Sequence, residues 1–135
     1  MKLIVDTNVL ISALIKDSVT RKIIMHFKAR LYSPKFLQEE VDKYKPEILR
    51  KANINETEFR VLFDQIKSKI IFLESESLSS RYDEAEMIMN QIDPKDAPFI
   101  AAALATGADI WSDDKHFEKQ KKVKVWKTSE LAKMV

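Results

Sequence analysis

Short apolar runs alternate with helical segments along the whole chain, and this alternation restricts the fold more than any other feature. The runs are of strand length and occupy residues 3–5, 31–32, 70–73, 108–111 and 123–126. Strands separated by helices favour right-handed crossovers and a parallel sheet with helices on both sides. We therefore predict an α/β fold in three layers, α/β/α, with a central parallel sheet flanked by helices.

The predicted helices are placed by apolar spacing and by capping residues. The best stripe consists of Leu37, Val41, Tyr44 and Ile48, with Ser33 as the predicted N-cap and Pro34 in the first helical position. The other predicted helices cover residues 9–15, 20–28, 56–69 and 79–91, a segment from 93 or 96 to Gly107, and a final stub capped by Ser129.

Composition excludes several classes of site and of cellular location. The 135 residues contain no Cys, one Gly and two His, which excludes thiolate sites and Gly-rich phosphate loops and argues against a multi-histidine zinc site. No linker or repeat divides the sequence, so we expect one domain over residues 1–135. No apolar run approaches the roughly 20 residues that span a bilayer, and a strand starts too early for a signal peptide. We expect a cytoplasmic protein without a membrane partner.

The net charge of +2 does not by itself indicate a nucleic-acid partner. Five lysines nevertheless cluster near the C-terminus: Lys119, Lys121, Lys122, Lys124 and Lys127. A solvated surface and a set of contacts to a phosphate backbone both explain this cluster.

Acidic residues follow two of the predicted strands. Asp6 comes directly after the first strand, and Asp113 and Asp114 follow the strand that ends at Trp111. Each of them alone is typical of a helix cap or a turn. Because sites in open α/β sheets lie at the carboxyl ends of strands, we expect these carboxylates to meet at one edge, where they repel each other unless a cation lies between them.

Two further carboxylates are candidates for the same edge. At about 100° per residue, Glu39 lies opposite the apolar stripe of its helix, whereas Glu40 borders the stripe and can reach the sheet. Asp93, before Pro94, is typical of an N-cap. Asp96 precedes an apolar, Ala-rich helix, where it is either a partner of the helix dipole or a metal ligand. Carboxylates with few histidines suit Mg²⁺ or Mn²⁺, and such an ion supports phosphodiester hydrolysis.

Four segments, in order, resemble the motifs of PIN-domain nucleases. They are VDTNVL at 5–10, LQEEV at 37–41, DAPFIA at 96–101 and WSDDKHF at 111–117. The chain is similar to the small prokaryotic, VapC-like ribonuclease toxins of that family. The resemblance implies a PIN-like fold and Mg²⁺- or Mn²⁺-dependent endonuclease cleavage of single-stranded RNA. It also implies an antitoxin protein as partner and a homodimer.

The resemblance assigns roles to individual residues. It implies that Asp6, Glu40, Asp96 and Asp114 are catalytic and hold the metal, and that Asn8 and Ser112 support the site, although both are also typical of local turn capping. The chain departs from the family at His116, where a second aspartate is common. That departure predicts weaker metal binding, unless Asp113 takes the place of the missing acid.

Two other functions fit parts of the sequence. A PIN fold that binds RNA or protein without cutting fits the altered last motif. A phosphorylated receiver domain is also a small α/β fold with clustered acids, but it uses an adjacent acidic pair after its first strand. Here a single aspartate, Asp6, is followed by Thr7 and Asn8.

Overall fold

The computed structural model describes residues 1–16 and 18–135. Within them lie five strands, named in chain order: β1 (Lys2–Val5), β2 (Arg30–Pro34), β3 (Ile70–Leu73), β4 (Asp109–Trp111) and β5 (Val125–Trp126). The same residues contain eight α-helices: α1 (Thr7–Ile15), α2 (Val19–His26), α3 (Leu37–Ala52), α4 (Glu56–Lys67), α5 (Ser75–Met89), α6 (Ala97–Thr106), α7 (Lys115–Glu118) and α8 (Thr128–Ala132). A 3₁₀ turn, Pro94–Asp96, leads into α6.

The five strands form one parallel sheet in the order β3-β2-β1-β4-β5. The predicted α/β fold, a parallel sheet flanked by helices, is confirmed. The central strand β1 is buried from Leu3 to Val5, as expected for a strand covered on both faces. It pairs with β4 such that Val5 lies opposite Trp111, so both strands end at the same level.

Helix α6 packs against β1, β2 and β4, with α5 packed on α6. Its residues from Phe99 to Ala103 are all buried, which explains why its sequence is apolar on every side. The helix ends at Gly107, whose φ of 72° lies in the left-handed region that glycine adopts without strain. Since α6 is fixed in the core, the position of Asp96 at its entry is fixed as well.

The predicted start of α3 is wrong. Ser33 and Pro34 continue β2 and pair with Phe72 and Leu73, and the Ser33 hydroxyl donates a 3.0 Å hydrogen bond to the Val5 carbonyl. Pairing with β3 keeps both residues in the sheet, where they cannot cap a helix. Helix α3 therefore starts at Leu37. Tyr44, predicted to be in the apolar stripe, is 47% exposed, since the stripe is wider than the surface that α3 buries.

Smaller differences lie at element ends. Helix α5 starts at Ser75, a turn before the predicted start, and α7 was not predicted. The N-cap of α8 is Lys127, so Ser129 lies inside the helix. Among the described residues, no helix combines the length and the apolarity that crossing a membrane requires.

Candidate metal centre

Asp6 lies at the carboxyl end of β1 and is only 4% exposed. Its backbone N–H donates to the Trp111 carbonyl at 3.2 Å, which continues the β1–β4 ladder by one residue. The Ser112 hydroxyl donates a 2.7 Å hydrogen bond to Asp6 Oδ2. The pairing of β1 with β4 therefore fixes the Asp6 backbone through Trp111 and the Asp6 carboxylate through Ser112.

Asp114 reaches the same edge from the end of β4. Its backbone N–H donates to Ser112 Oγ at 3.0 Å, and its Oδ1 accepts the His116 N–H at 2.9 Å as the N-cap of α7. Ser112 thus connects two acids, one through its proton and the other through its oxygen. The turn between Trp111 and Lys115 is fixed by these bonds.

Asp96 ends the 3₁₀ turn and is the N-cap residue of α6, but its side chain makes no capping hydrogen bond. Within residues 1–16 and 18–135, its buried Oδ2 has no hydrogen-bond partner. A buried carboxylate oxygen without a donor is costly unless a cation or another ligand contacts it.

Asp93 and His116 complete a group of three potential ligands around Asp96. His116 Nδ1 lies 3.3 Å from Asp93 Oδ2 and 3.6 Å from Asp114 Oδ1. One ligand atom from each of Asp93, Asp96 and His116 lies within 4.8 Å of the others. Sequence reasoning left Asp93 and His116 out of the site. Asp93 does cap the 3₁₀ turn as expected, through Oδ1 and the Lys95 N–H, but its second oxygen faces His116.

Glu40 lies half-buried in the first turn of α3, while Glu39 beside it is exposed, as the helical geometry predicted. The carboxylate of Glu40 is close enough to raise the pKa of Asp6. We therefore count it with the acidic cluster, defined here as Asp6, Glu40, Asp93, Asp96 and Asp114 together with His116.

The electrostatics of the cluster favour protonation of its most enclosed acids. Burial raises the pKa of Asp6 to about 6, against the lowering effect of the Ser112 hydrogen bond, and the Asp114 and Glu40 carboxylates add to the rise. Burial also raises the pKa of Asp96 to about 7, with further contributions from Asp6, Asp93 and Asp114. The fold therefore keeps these two carboxylates where burial, and to a smaller extent repulsion from neighbouring acids, opposes their ionisation.

Two of the predicted site residues are exposed. Asp113 is exposed, and its two oxygens accept the backbone N–H and the hydroxyl of Thr128 at 2.8 and 2.7 Å. Its carboxylate therefore orders the start of α8. Asn8 is exposed on the first turn of α1 and lines a groove between α1 and α3 with Tyr44.

The C-terminal lysines have mixed surroundings. Lys127 pairs with Glu118 at 3.0 Å, and the Lys124 ammonium lies 4.1 Å from the centre of the Trp126 ring. These two contacts fit the interpretation of a solvated, locally paired surface.

Comparison with known proteins identifies the family. A sequence model described as the PIN domain matches residues 4–134. The chain belongs to the PIN-domain family. No curated protein matches it in sequence. Its fold is shared by a solved structure of VapBC2 from Rickettsia felis bound to a DNA fragment from their promoter, with a TM-score of 0.71 and 15% identity. The match covers 94% of this PIN domain and 98% of the other chain.

The cluster of this PIN domain fits a hard divalent cation. Its potential ligand atoms are carboxylate oxygens and one imidazole nitrogen, and hard cations such as Mg²⁺ and Mn²⁺ prefer oxygen. Among the described residues the buried Asp96 Oδ2 has no hydrogen-bond donor, and a cation held by the cluster would satisfy it. The residues present therefore fit the predicted ion.

Proposed function

We propose that this PIN domain, as a single domain over residues 1–135, is a metal-dependent endoribonuclease that hydrolyses phosphodiester bonds of single-stranded RNA. The observation that carries the proposal is a chain of contacts between acids from three separate parts of the sequence. Ser112 bonds to Asp6 and to the Asp114 backbone, and His116 lies beside both Asp114 and Asp96. RNA as substrate rests on the family resemblance.

In this proposal Asp6, Glu40, Asp96 and Asp114 hold Mg²⁺ or Mn²⁺. When bound, the ion would neutralise phosphate charge and lower the pKa of a water molecule. Ser112 is a positioning residue, because its hydroxyl bonds to Asp6 and to the Asp114 backbone. Burial of Asp6 excludes water from one side of the site and strengthens its interaction with any bound charge.

The VapBC2 likeness supports a further part of the proposal, that this chain is the toxin of a toxin–antitoxin pair. We also propose that it forms a homodimer and acts in the cytoplasm. Light scattering on the purified protein tests the dimer. Growth arrest on expression of the wild type, absent with Asp6→Asn, tests the toxin.

Cleavage is tested on short single-stranded RNA with Mn²⁺, with Mg²⁺ and with chelator. Asp6→Asn and Glu40→Gln should each lower the cleavage rate by about 100-fold or more, because an ion in a site of this kind supplies several kcal/mol. Matched controls are Asp83→Asn and Glu39→Gln, since both residues are exposed. They should cut at the wild-type rate.

The outcomes separate two functions. Metal-dependent cleavage that is lost only in the two site variants supports the nuclease. Metal binding without cleavage, in a folded wild-type protein, would favour a binding module instead. Cleavage that survives in Asp6→Asn would overturn the proposed site.

A further inference from the structure

A groove of about 490 Å³ opens between α5 and the start of α6. Its lining includes Phe36, Tyr82 and Pro98, with Leu78 among the apolar contacts and the exposed Lys95. The volume falls in the range of small-ligand sites, roughly 300–1,000 Å³. The groove thus combines largely apolar walls with one cationic group.

The groove adjoins the acidic cluster. Lys95 directly precedes Asp96, and Pro98 follows Asp96 by two positions. On the other side, the Phe36 carbonyl accepts the Glu40 N–H at 3.1 Å, so Phe36 and Glu40 belong to the same helical turn. Phe36 also packs against Phe99 of α6, with ring centroids 5.7 Å apart. The groove and the cluster are therefore neighbouring parts of one surface.

Aromatic and proline surfaces suit a nucleobase. Bases stack on aromatic rings with little dependence on their identity, and a nearby cation contacts the phosphate. Within the described part of the chain, none of the ion pairs involves Lys95, so its ammonium is available to a phosphate. A peptide would also meet an apolar wall, but the combination of aromatic rings with the exposed Lys95 favours a ligand that carries both rings and phosphates.

We propose that this groove is a nucleobase subsite, in which one base of a single-stranded RNA stacks on Tyr82 while Lys95 contacts the adjoining phosphate. The proposal rests on the proposed function for its ligand. It goes beyond that function because it assigns binding to residues outside the acidic cluster.

The test measures RNA binding separately from cleavage. A fluorescent 12-nucleotide single-stranded RNA is titrated with the Asp6→Asn protein by anisotropy, with and without the added change Tyr82→Ala. Loss of one base stack should lower the affinity about 5- to 100-fold. Tyr82→Phe keeps the ring and should bind within about twofold of the parent. Tyr44→Ala removes another half-exposed tyrosine, which lines a different groove, and should bind as the parent does.

A series of RNAs with one abasic position each then identifies the stacked base. For one position, removing the base should lower the affinity as much as Tyr82→Ala does with the intact RNA. Tyr82→Ala should then cause no further loss of affinity for that abasic RNA. Unchanged binding in Tyr82→Ala, or no RNA binding at all, would overturn the subsite. An equal loss for an RNA without any bases would overturn it too, since the effect would then involve the backbone alone.

This design keeps the two proposals distinguishable. Binding that depends on Tyr82, in a protein whose wild type does not cut RNA, supports the subsite and contradicts the nuclease. Cleavage at wild-type rate and affinity in Tyr82→Ala supports the nuclease and contradicts the subsite. Because the Tyr82 side chain is half-buried, thermal unfolding of each variant checks that a loss of affinity does not come from unfolding.

Discussion

Ser112 Oγ lies 2.7 Å from Asp6 Oδ2, although 106 positions separate the two residues in the sequence. The same oxygen accepts the Asp114 N–H at 3.0 Å. One hydroxyl therefore fixes two acids of the proposed metal centre relative to each other. Their mutual position depends on the pairing of β1 with β4, which brings Val5 opposite Trp111.

We expect Ser112→Ala to weaken Mn²⁺ binding about 10- to 100-fold, as loss of a supporting hydrogen bond to a metal ligand commonly does. It should also lower the free energy of unfolding by about 1–3 kcal/mol, because the Asp114 N–H loses its acceptor. Calorimetric titration and urea unfolding measure the two effects. Ser79→Ala, a change at an exposed α5 serine, is the control. Mn²⁺ affinity unchanged in Ser112→Ala would contradict the positioning role.

Asp6→Asn should stabilise the metal-free protein at pH 8. Since the folded pKa of Asp6 is raised from 3.8 to about 6, the folded state binds the proton more tightly than the unfolded state does. Its contribution to stability therefore falls as pH rises between these values. At about 1.4 kcal/mol per pKa unit, the gain in Asp6→Asn is at most about 3 kcal/mol at pH 8 and vanishes below about pH 4. Guanidinium unfolding in chelator tests this, and equal stability at pH 8 would contradict it.

The adjacent residues Asp113 and Asp114 should differ in their effects on stability and on Mn²⁺ affinity. Asp113→Ala removes both acceptors of Thr128 and should cost about 1–2 kcal/mol of stability, with Mn²⁺ affinity unchanged. Asp114→Ala should lower Mn²⁺ affinity at least about 10-fold. Urea unfolding and calorimetry on the pair measure both quantities. A matching loss of Mn²⁺ affinity in Asp113→Ala would return Asp113 to the metal site.

His116→Asp adds a carboxylate where Asp93 and Asp114 already lie within 3.3 and 3.6 Å of the imidazole. We expect a lower melting temperature in chelator, because like charges repel, and a tighter Mn²⁺ complex that restores the melting temperature. His26→Asp makes the same change at the exposed C-terminal end of α2, remote in sequence from the cluster, and should not tighten Mn²⁺ binding. A melting temperature in chelator equal to that of the wild type would show that the imidazole is not part of the crowded cluster.

Much of the fold was predictable because it depends on local periodicity. The buried run from Leu3 to Val5 and the apolar helix that ends at Gly107 have strong signals of their own. The opposite exposures of Glu39 and Glu40 also follow from helical geometry alone. The start of α3 was not predictable locally, since Ser33 and Pro34 form a good capping pair in isolation and are in β2 only because β3 pairs with them.

The candidate site, like the fold, was predictable from the sequence only in part. The sequence by itself determined which residue types could meet at the carboxyl edge, because parallel strands must end there. Asp6 directly follows β1, and Asp114 comes three residues after the end of β4. Only the tertiary structure decided which atoms face each other. It directed Asp113 to Thr128 and brought Asp93 next to His116. The physical reason is that side-chain direction at a turn depends on hydrogen-bond partners from distant segments, whereas strand and helix periodicity depends on near neighbours.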